Sequence, residues 1–381
     1  MSGLADLTLG FIPLTDCAPL VVAKSLGIFA EEGLEVALRR EASWATIRDK
    51  MAVGALDGAH MLAPMALATA VDDETPTVLA PLALNLNGSA ITLSTALVAA
   101  LRALDPDGMT AQPTTAGPLA RLVAQRRVRG EPPLTFAMVF PYAMHNYQLR
   151  YWLAQAGLDP DRDVRLVVTP PPRMVDQLRS GWIDGFCVGA PWNMVAVKEG
   201  LGEPVIRASQ FWPGGPDKVF GVTAAWTQKH PDELRAALRA LIRAAAWADD
   251  PANHADLVAM LARPEHINAT PEVIAAALQG EIVFHREAAG LPRRDHALWF
   301  LSQMARWGQI AAGADFNAIA DQVYRPDLFR AAALSLGPVL EPAMVFADAA
   351  APRAVLFDGA AFDPLRARDY AADFAIGRLQ S

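Results

Sequence analysis

Cysteine is scarce in this chain. Only Cys17 and Cys187 occur among the 381 residues, which is too few for a disulfide framework, and we expect both to be small buried side chains. Charged residues make up 19% of the sequence and the formal net charge is −8. A protein of that sign repels nucleic acid overall, and the basic stretch Arg121–Arg129 is typical of a solvated helix end. We therefore predict no direct contact with nucleic acid.

Long apolar runs are also missing. None approaches the roughly 18 residues that a membrane helix needs. The segment Met1–Asp6 leads directly into an apolar strand and has neither the basic region nor the cleavage site typical of an export signal. We expect a cytoplasmic protein that does not contact a membrane; the alternative is an exported protein whose leader is not part of this sequence.

Familiar catalytic patterns are absent from the sequence, which contains no P-loop, GxSxG, HExxH or EF-hand motif. Its 7 histidines do not show the spacing of metal ligands. A nucleophile–base pair of Cys17 and His145 would require folding to bring the two together. We predict a protein without catalytic residues, metal or cofactor, and not an enzyme.

What is present is an alternation of strands and helices. A single core stops growing at roughly 250–300 residues, so two lobes are expected. The strand at Leu7–Ile12, the helix at Trp44–Val53 and the strand at Leu134–Val139 belong to two βαβ series, separated by the Pro/Gly-rich stretch Asp105–Pro118. This order predicts an α/β protein with mainly parallel sheets.

The region after Pro231 reads as mostly helical. The predicted helices and the final arm are Asp232–Ala262, Pro271–Gln279, Arg294–Ile310, Asp327–Ser335, and the extended segment Leu340–Ser381 ending in a helix near Pro364–Ile376. We predict that residues 1–90 and 220–381 form lobe 1 with a helical C-terminal extension. Residues 91–219 then form lobe 2, and a ligand cleft lies between the lobes.

Polar or small residues follow several predicted strands, where such a cleft would lie. Trp44 begins a helix, whose N-terminus favours anions, although a packing role is the commoner one for tryptophan. Asn87 can donate from its amide or serve a turn, and His145 can donate from either ring nitrogen or be structural. Gly189 allows close backbone approach, and Lys218 is the best candidate for a counter-charge or else a surface lysine.

Several segments together resemble the nitrate- and bicarbonate-binding proteins of bacterial ABC importers. The resemblance covers residues 5–250 well and the remainder more loosely. The segments that carry it are Gly10–Leu20, Ala42–Trp44, Asp57–His60, Arg150–Ala154, Pro170–Val175 and Asp184–Asn193. It implies a two-lobed fold of the type II periplasmic-binding-protein kind.

The resemblance also implies a ring of donors around a planar anion. Carried over by position, the ring comprises the Trp44 indole, the Asn87 amide, the His145 imidazole, the Gly189 backbone N–H and the Lys218 ammonium. Family members usually carry glutamine where this chain has Asn87, and glutamate where it has Ala190. The bicarbonate binders resemble this pattern but use an acidic residue and calcium near the lysine position, so Lys218 favours nitrate or nitrite and no metal.

Without an export signal, the sequence resembles most the cytoplasmic nitrate sensors of nitrate-assimilation operons. That resemblance implies a partner, an RNA-binding antiterminator, which is held without ligand and released when nitrate or nitrite binds. Two alternatives stay open. One is an exported binding component of a nitrate importer, and the other is an enzyme on the same fold, as in thiamine- or menaquinone-precursor pathways.

Overall fold

The computed structural model describes residues 4–72, 74–279, 282–311, 313–337 and 354–379. Its strands are β1 (Ala5–Phe11), β2 (Leu34–Arg40), β3 (Gly58–Leu62), β4 (Val78–Ala83), β5 (Ser89–Ser94), β6 (Thr135–Met138), β7 (Arg165–Val168), β8 (Gly185–Gly189), β9 (Gly202–Arg207), β10 (Lys218–Thr223), β11 (Ala354–Val355) and β12 (Ala361–Phe362).

The helices alternate with these strands and then dominate the last third of the chain. They are α1 (Ala18–Ser25), α2 (Ile28–Glu31), α3 (Trp44–Ala52), α4 (Ala63–Ala68), α5 (Thr95–Leu104), α6 (Pro106–Thr110), α7 (Gly117–Val128), α8 (Met144–Gln155), α9 (Met174–Arg179), α10 (Trp192–Lys198), α11 (Ala208–Phe211), α12 (Ala224–Lys229), α13 (Pro231–Asp249), α14 (His254–Ala262), α15 (Pro271–Leu278), α16 (Arg294–Arg306), α17 (Phe316–Val323), α18 (Pro326–Ser335) and α19 (Ala367–Ala372).

Two five-stranded sheets define the two lobes. The sheet of lobe 1 has the order β2-β1-β3-β10-β4, and that of lobe 2 has the order β7-β6-β8-β5-β9. Strand β4 is buried along its whole length, which explains its continuous apolar sequence, and β3 is equally buried although it contains His60. The chain passes to lobe 2 between β4 and β5 and returns between β9 and β10, so two crossings connect the lobes.

The prediction of mainly parallel sheets is confirmed with a refinement, because each five-stranded sheet is mixed and contains one strand that runs against the other four. Strand β10 runs antiparallel to β3 and β4, and β5 runs antiparallel to β8 and β9. The remaining pairs are parallel. Each antiparallel strand lies at a crossing between lobes, where the chain enters the sheet from the opposite end. Local alternation of strand and helix carries no information about that direction.

The helical region differs from prediction in two places, of which the first is α17, a helix that the sequence analysis does not predict. The single helix expected at Asp232–Ala262 is two helices, α13 and α14, separated by a 3-10 turn that starts at Pro251. Proline lacks the N–H that would continue the helix, and the Asp250 side chain accepts a hydrogen bond from Ala252 N at 2.9 Å. The short turn therefore replaces the interior of one long helix.

The C-terminal part of the chain contacts both lobes. The Trp299 ring of α16 lies 6.5 Å from the ring of Tyr147 in α8 of lobe 2, whereas α16 and α17 also pack on α4 of lobe 1. Phe357 N donates to Phe211 O at 2.9 Å. The division into residues 1–90 with 220–381 and residues 91–219 stays a prediction, but its boundaries cut two strands: β5 begins at Ser89 in the sheet of lobe 2, and β10 begins at Lys218 in the sheet of lobe 1. The predicted arm at Leu340–Ser381 lies partly outside the described residues, and its described part contains β11, β12 and α19.

Candidate functional site

Lys218 is the centre of a buried polar cluster between the lobes. It is the first residue of β10 and pairs in register with Leu62 of β3, which places it at the sheet edge facing lobe 2. Its side chain is fully buried, with Nζ 2.6 Å from Asp217 Oδ2 and 2.9 Å from Asp16 Oδ2. The predicted counter-charge is therefore a buried ammonium between two buried carboxylates.

Asp16 lies in the 3-10 turn that follows β1 and has a second partner. Its Oδ1 is 2.8 Å from Nε2 of His60 in β3. Because Ile12 N donates to His60 Nδ1 at 3.3 Å, the proton of the neutral imidazole is assigned to Nε2, which faces Asp16. Asp16 is thus held in its ionised form from two sides.

Trp44 is the first residue of α3 and covers this cluster. Ser43 caps the helix, its hydroxyl accepting from Thr46 N at 3.2 Å. The Trp44 ring centroid lies 5.7 Å from Lys218 Nζ and 5.1 Å from the His60 ring. The indole Nε1 is buried and has no hydrogen-bond partner among the described residues. An unpaired buried donor is costly, so this N–H is available to a ligand.

His145 and Gly189 approach from lobe 2. His145 is buried near the start of α8, its Nε2 lies 3.7 Å from Asp217 Oδ2, and neither ring nitrogen makes a hydrogen bond to a described residue. Gly189 ends β8, and a Cβ placed there would lie 3.2 Å from Asp16 Oδ2 and 3.6 Å from His145 Nε2. The absence of a side chain at this position lets the backbone of lobe 2 reach the charges of lobe 1.

Asn87 occupies the crossing from lobe 1 to lobe 2, and its side-chain Oδ1 is buried without a hydrogen-bond partner among the described residues. It lies between β4 and β5 with a φ of 58°, in the left-handed region that favours asparagine and glycine. Its N donates to Gly215 O, and its O accepts from Asn85 Nδ2, both at 2.8 Å. Its side chain makes no hydrogen bond to the other four among the described residues. The structure thus gives Asn87 the turn role that the sequence left open, and its role as a donor stays a prediction.

The lobes touch directly beside the cluster. Thr15 N donates to Ala190 O at 2.9 Å, and Trp192 Nε1 donates to Pro13 O at 3.2 Å. Both bonds join the loop after β1 in lobe 1 to the end of β8 and the start of α10 in lobe 2. The structure is therefore a closed form in which Trp44, His145, Gly189 and Lys218 come together.

The charges of the cluster respond differently to burial. Burial disfavours the Lys218 ammonium, but Asp16 and Asp217 outweigh it and raise the pKa of Lys218. Burial would raise the pKa of Asp16, yet Lys218 and His60 lower it well below its usual range. Burial raises the pKa of Asp217 to about 6, with Lys218 opposing and Asp16 reinforcing the shift. Asp217 is the carboxylate that titrates nearest to neutral pH.

The other titratable groups of the cluster are neutral. Burial, then the Lys218 charge, lowers the pKa of His145 well below its usual value. Burial also raises the pKa of both thiols, Cys17 and Cys187, which are free and buried as predicted. A protonated thiol is a poor nucleophile, so the structure gives no support to a pair of Cys17 and His145.

Sequence reasoning missed three members of the cluster: Asp16, His60 and Asp217. Asp16 and His60 lie inside segments whose family resemblance was evident, and Asp217 directly precedes Lys218. For Asp16, the available signal was an acidic residue within an apolar run, since buried carboxylates need a partner. Within the described residues, no group of three or more His, Cys, Asp or Glu side chains is arranged to hold a metal ion. Independence from metal stays a prediction.

Among the described residues, no helix combines the length and the apolar character needed to cross a membrane.

Comparison with known proteins identifies relatives of the chain. Residues 2–262 match the model of the NMT1-like family. The chain is 37% identical over 394 residues to the nitrate import ATP-binding protein NrtC of Synechocystis sp. (strain ATCC 27184 / PCC 6803 / Kazusa), and this match covers 98% of the chain but 56% of NrtC. It is 35% identical to the nitrate/nitrite binding protein NrtA of Synechococcus elongatus, with 96% of the chain and 85% of NrtA covered.

A solved structure matches over nearly the whole length. The crystal structure of the periplasmic nitrate-binding protein NrtA from Synechocystis PCC 6803 has a TM-score of 0.89 and 30% identity, and covers 98% of this chain and 99% of that one. The match confirms the predicted two-lobed α/β fold of the periplasmic-binding-protein type. Because the NrtA relatives are binding proteins, it also confirms the prediction of a binding protein rather than an enzyme.

Proposed function

Because the chain belongs to the NMT1-like family and is similar to nitrate-binding proteins, we propose that it binds nitrate or nitrite between its lobes. The observation that carries the proposal is the meeting of a buried ammonium with unpaired donors from both lobes. Lys218 supplies the charge, Trp44 Nε1 comes from lobe 1, and His145 comes from lobe 2.

The chemistry of this donor set suits a weakly basic, planar anion. Nitrate spreads one charge over three oxygens, so several modest donors and one cation are needed to replace its hydration shell. Each buried polar group left unpaired costs about 1–3 kcal/mol. An anion that accepts from Trp44 and His145 removes that cost only in the closed form, and its binding therefore favours closure.

Two uses of such a binding protein follow from the resemblance. The relatives favour a binding component of a nitrate importer, since NrtC and NrtA are named for nitrate import and nitrate binding. The second use is a cytoplasmic sensor that holds an RNA-binding antiterminator and releases it when the anion binds. Ala190 lies at the contact between lobes, where the importer pattern has glutamate, and its methyl group leaves the rim without a carboxylate in either use.

Calorimetric titration of the purified chain with nitrate, nitrite, bicarbonate and sulfate tests the proposed ligand. We expect saturable binding of nitrate or nitrite, and no binding of sulfate, whose second charge lacks a second cation. Saturable binding of bicarbonate or sulfate with none of nitrate or nitrite would contradict the proposal.

Size-exclusion chromatography tests the sensor. The chain and a small RNA-binding antiterminator are mixed with and without millimolar nitrate. The sensor predicts a complex only in the absence of nitrate. Because the partner binds the open form and the anion binds the closed form, each must weaken the binding of the other by the same factor. An elution profile that does not respond to nitrate contradicts the sensor and leaves the importer component.

A further inference from the structure

The proposed anion site carries more negative than positive charge. Asp16 and Asp217 share the single ammonium of Lys218, and all three side chains are buried. When both carboxylates are ionised, their sum with Lys218 is one net negative charge. A bound anion would add a third negative charge around one cation, where solvent screening is weak.

The two carboxylates differ in their partners. Asp16 has the Lys218 ammonium on Oδ2 and the His60 N–H on Oδ1, so both of its oxygens are stabilised as ions. Asp217 has the ammonium on Oδ2, and its Oδ1 has no hydrogen-bond partner among the described residues. Its other close neighbour is His145 at 3.7 Å, which places Asp217 between the cation and a lobe 2 donor.

We propose that Asp217 takes up one proton when the anion binds, and that its neutral carboxyl then donates a hydrogen bond to the anion. The inference rests on the proposed function. The proton comes from the solvent or buffer: one carboxylate, one proton and one anion become a carboxyl group hydrogen-bonded to the anion. No bond of the anion breaks. Asp217 is in this account a specificity-determining residue, since it repels an anion when ionised and binds it when neutral.

The groups that face Asp217 do not compete with it for the proton. They are the adjacent Lys218 at the start of β10, Asp16 after β1, His145 on α8 and Cys187 on β8, with His60 acting through Asp16. Burial raises the pKa of Asp217 to about 6, against the opposing effect of Lys218 and with that of Asp16 added. Burial raises the pKa of the Cys187 thiol and lowers that of His145, so both are already neutral near pH 7.

The sign of the pH dependence follows from linkage. Below about pH 6 Asp217 is already protonated in the free protein, and affinity does not depend on its ionisation. Above that pH, each bound anion brings in a proton, so affinity falls about tenfold for each pH unit until the pKa of the bound form is reached.

The test is calorimetric titration of the full chain with sodium nitrate at pH 7.5 in HEPES and in Tris, two buffers with different ionisation enthalpies. The difference in binding heat gives the number of protons taken up, and we expect close to one per nitrate. Affinity should fall about tenfold between pH 7 and pH 8. The variant Asp217→Asn should bind without proton uptake, with an affinity independent of pH. The control Asp232→Asn removes a carboxylate whose side chain is 86% exposed and should behave as the parent.

The outcomes separate this inference from the proposed function. Nitrate or nitrite binding by the parent without proton uptake overturns the inference and leaves the proposed function standing. Uptake that persists in Asp217→Asn also overturns it and assigns the proton to another group, His145 first. Absence of binding of both anions between pH 5.5 and pH 8 overturns the proposed function and the inference together.

Discussion

The two lobes contribute opposite kinds of chemistry to the site. Lobe 1 supplies all the ionised groups, Asp16, Asp217 and Lys218, and they form ion pairs within 3 Å. Lobe 2 supplies His145 and Gly189, which are neutral. Lobe 1 therefore holds a set of charges that stabilise one another without lobe 2. The donors of lobe 2 reach a ligand only when the cleft closes. The charges therefore lie on one lobe, and the donors that depend on closure lie on the other.

The largest effect is expected from removing the positive charge of lobe 1. Lys218→Ala leaves two buried carboxylates without their ammonium, and removing one partner of a buried ion pair costs about 3–5 kcal/mol. We expect the free energy of unfolding, measured with urea, to fall by that amount. Nitrate affinity should fall about ten- to a hundredfold or more. The control Lys24→Ala, which removes an exposed ion pair with Glu35, should change stability by about 1 kcal/mol or less.

Parent-like nitrate affinity in Lys218→Ala would contradict the assignment of the charge to Lys218. If the single variant unfolds, Lys218→Ala combined with Asp217→Asn removes one charge of each sign and keeps the binding measurement possible.

The next effect concerns Asp217 alone and needs no ligand. A carboxyl whose pKa rises on folding to about 6 gives stability that is present at low pH and lost as pH rises through that value. The stability advantage of Asp217→Asn over the parent should therefore grow by about 1.4 kcal/mol per pH unit between about pH 4 and pH 6. Above pH 7, the difference in the free energy of unfolding between the two proteins should no longer change with pH. Urea unfolding of both proteins across this range measures it, and a difference that does not change with pH would contradict the assignment.

A smaller effect is expected from a change in lobe 2, whose site residues are neutral. In Gly189→Ala, the added Cβ would lie 3.2 Å from Asp16 Oδ2, so full closure of the lobes is opposed. Overpacking costs about 1–3 kcal/mol, and we expect nitrate affinity to fall about tenfold with little change in stability. Gly313→Ala is the matched control, since its Cβ meets no atom within 4 Å. Equal affinities in the two variants would show that close approach at Gly189 does not matter.

No effect at all is expected from removing metal. Because Lys218 is a built-in cation, nitrate affinity should survive exhaustive treatment with a chelator, as measured by the same titration. Loss of affinity on chelation that calcium restores would point to the bicarbonate-type arrangement instead.

The sequence predicted the lobe 2 donors better than the lobe 1 charges. His145 comes after β6 and Gly189 ends β8, which is a local signal, and the structure brings both together with Trp44 and Lys218. Asp16 and Asp217 are distant in sequence and meet only because β1 and β10 share a sheet. The same limit explains the sheets themselves, since strand spacing does not show that β5 and β10 enter in the antiparallel direction.

The most direct test of the central claim is a crystal structure of the chain grown with nitrate. The account predicts a planar anion between the lobes, within hydrogen-bond distance of Lys218 Nζ and Trp44 Nε1 on one side and His145 on the other. Nitrate bound elsewhere, with Lys218 still enclosed by Asp16 and Asp217 and the donors of Trp44 and His145 unengaged, would contradict it.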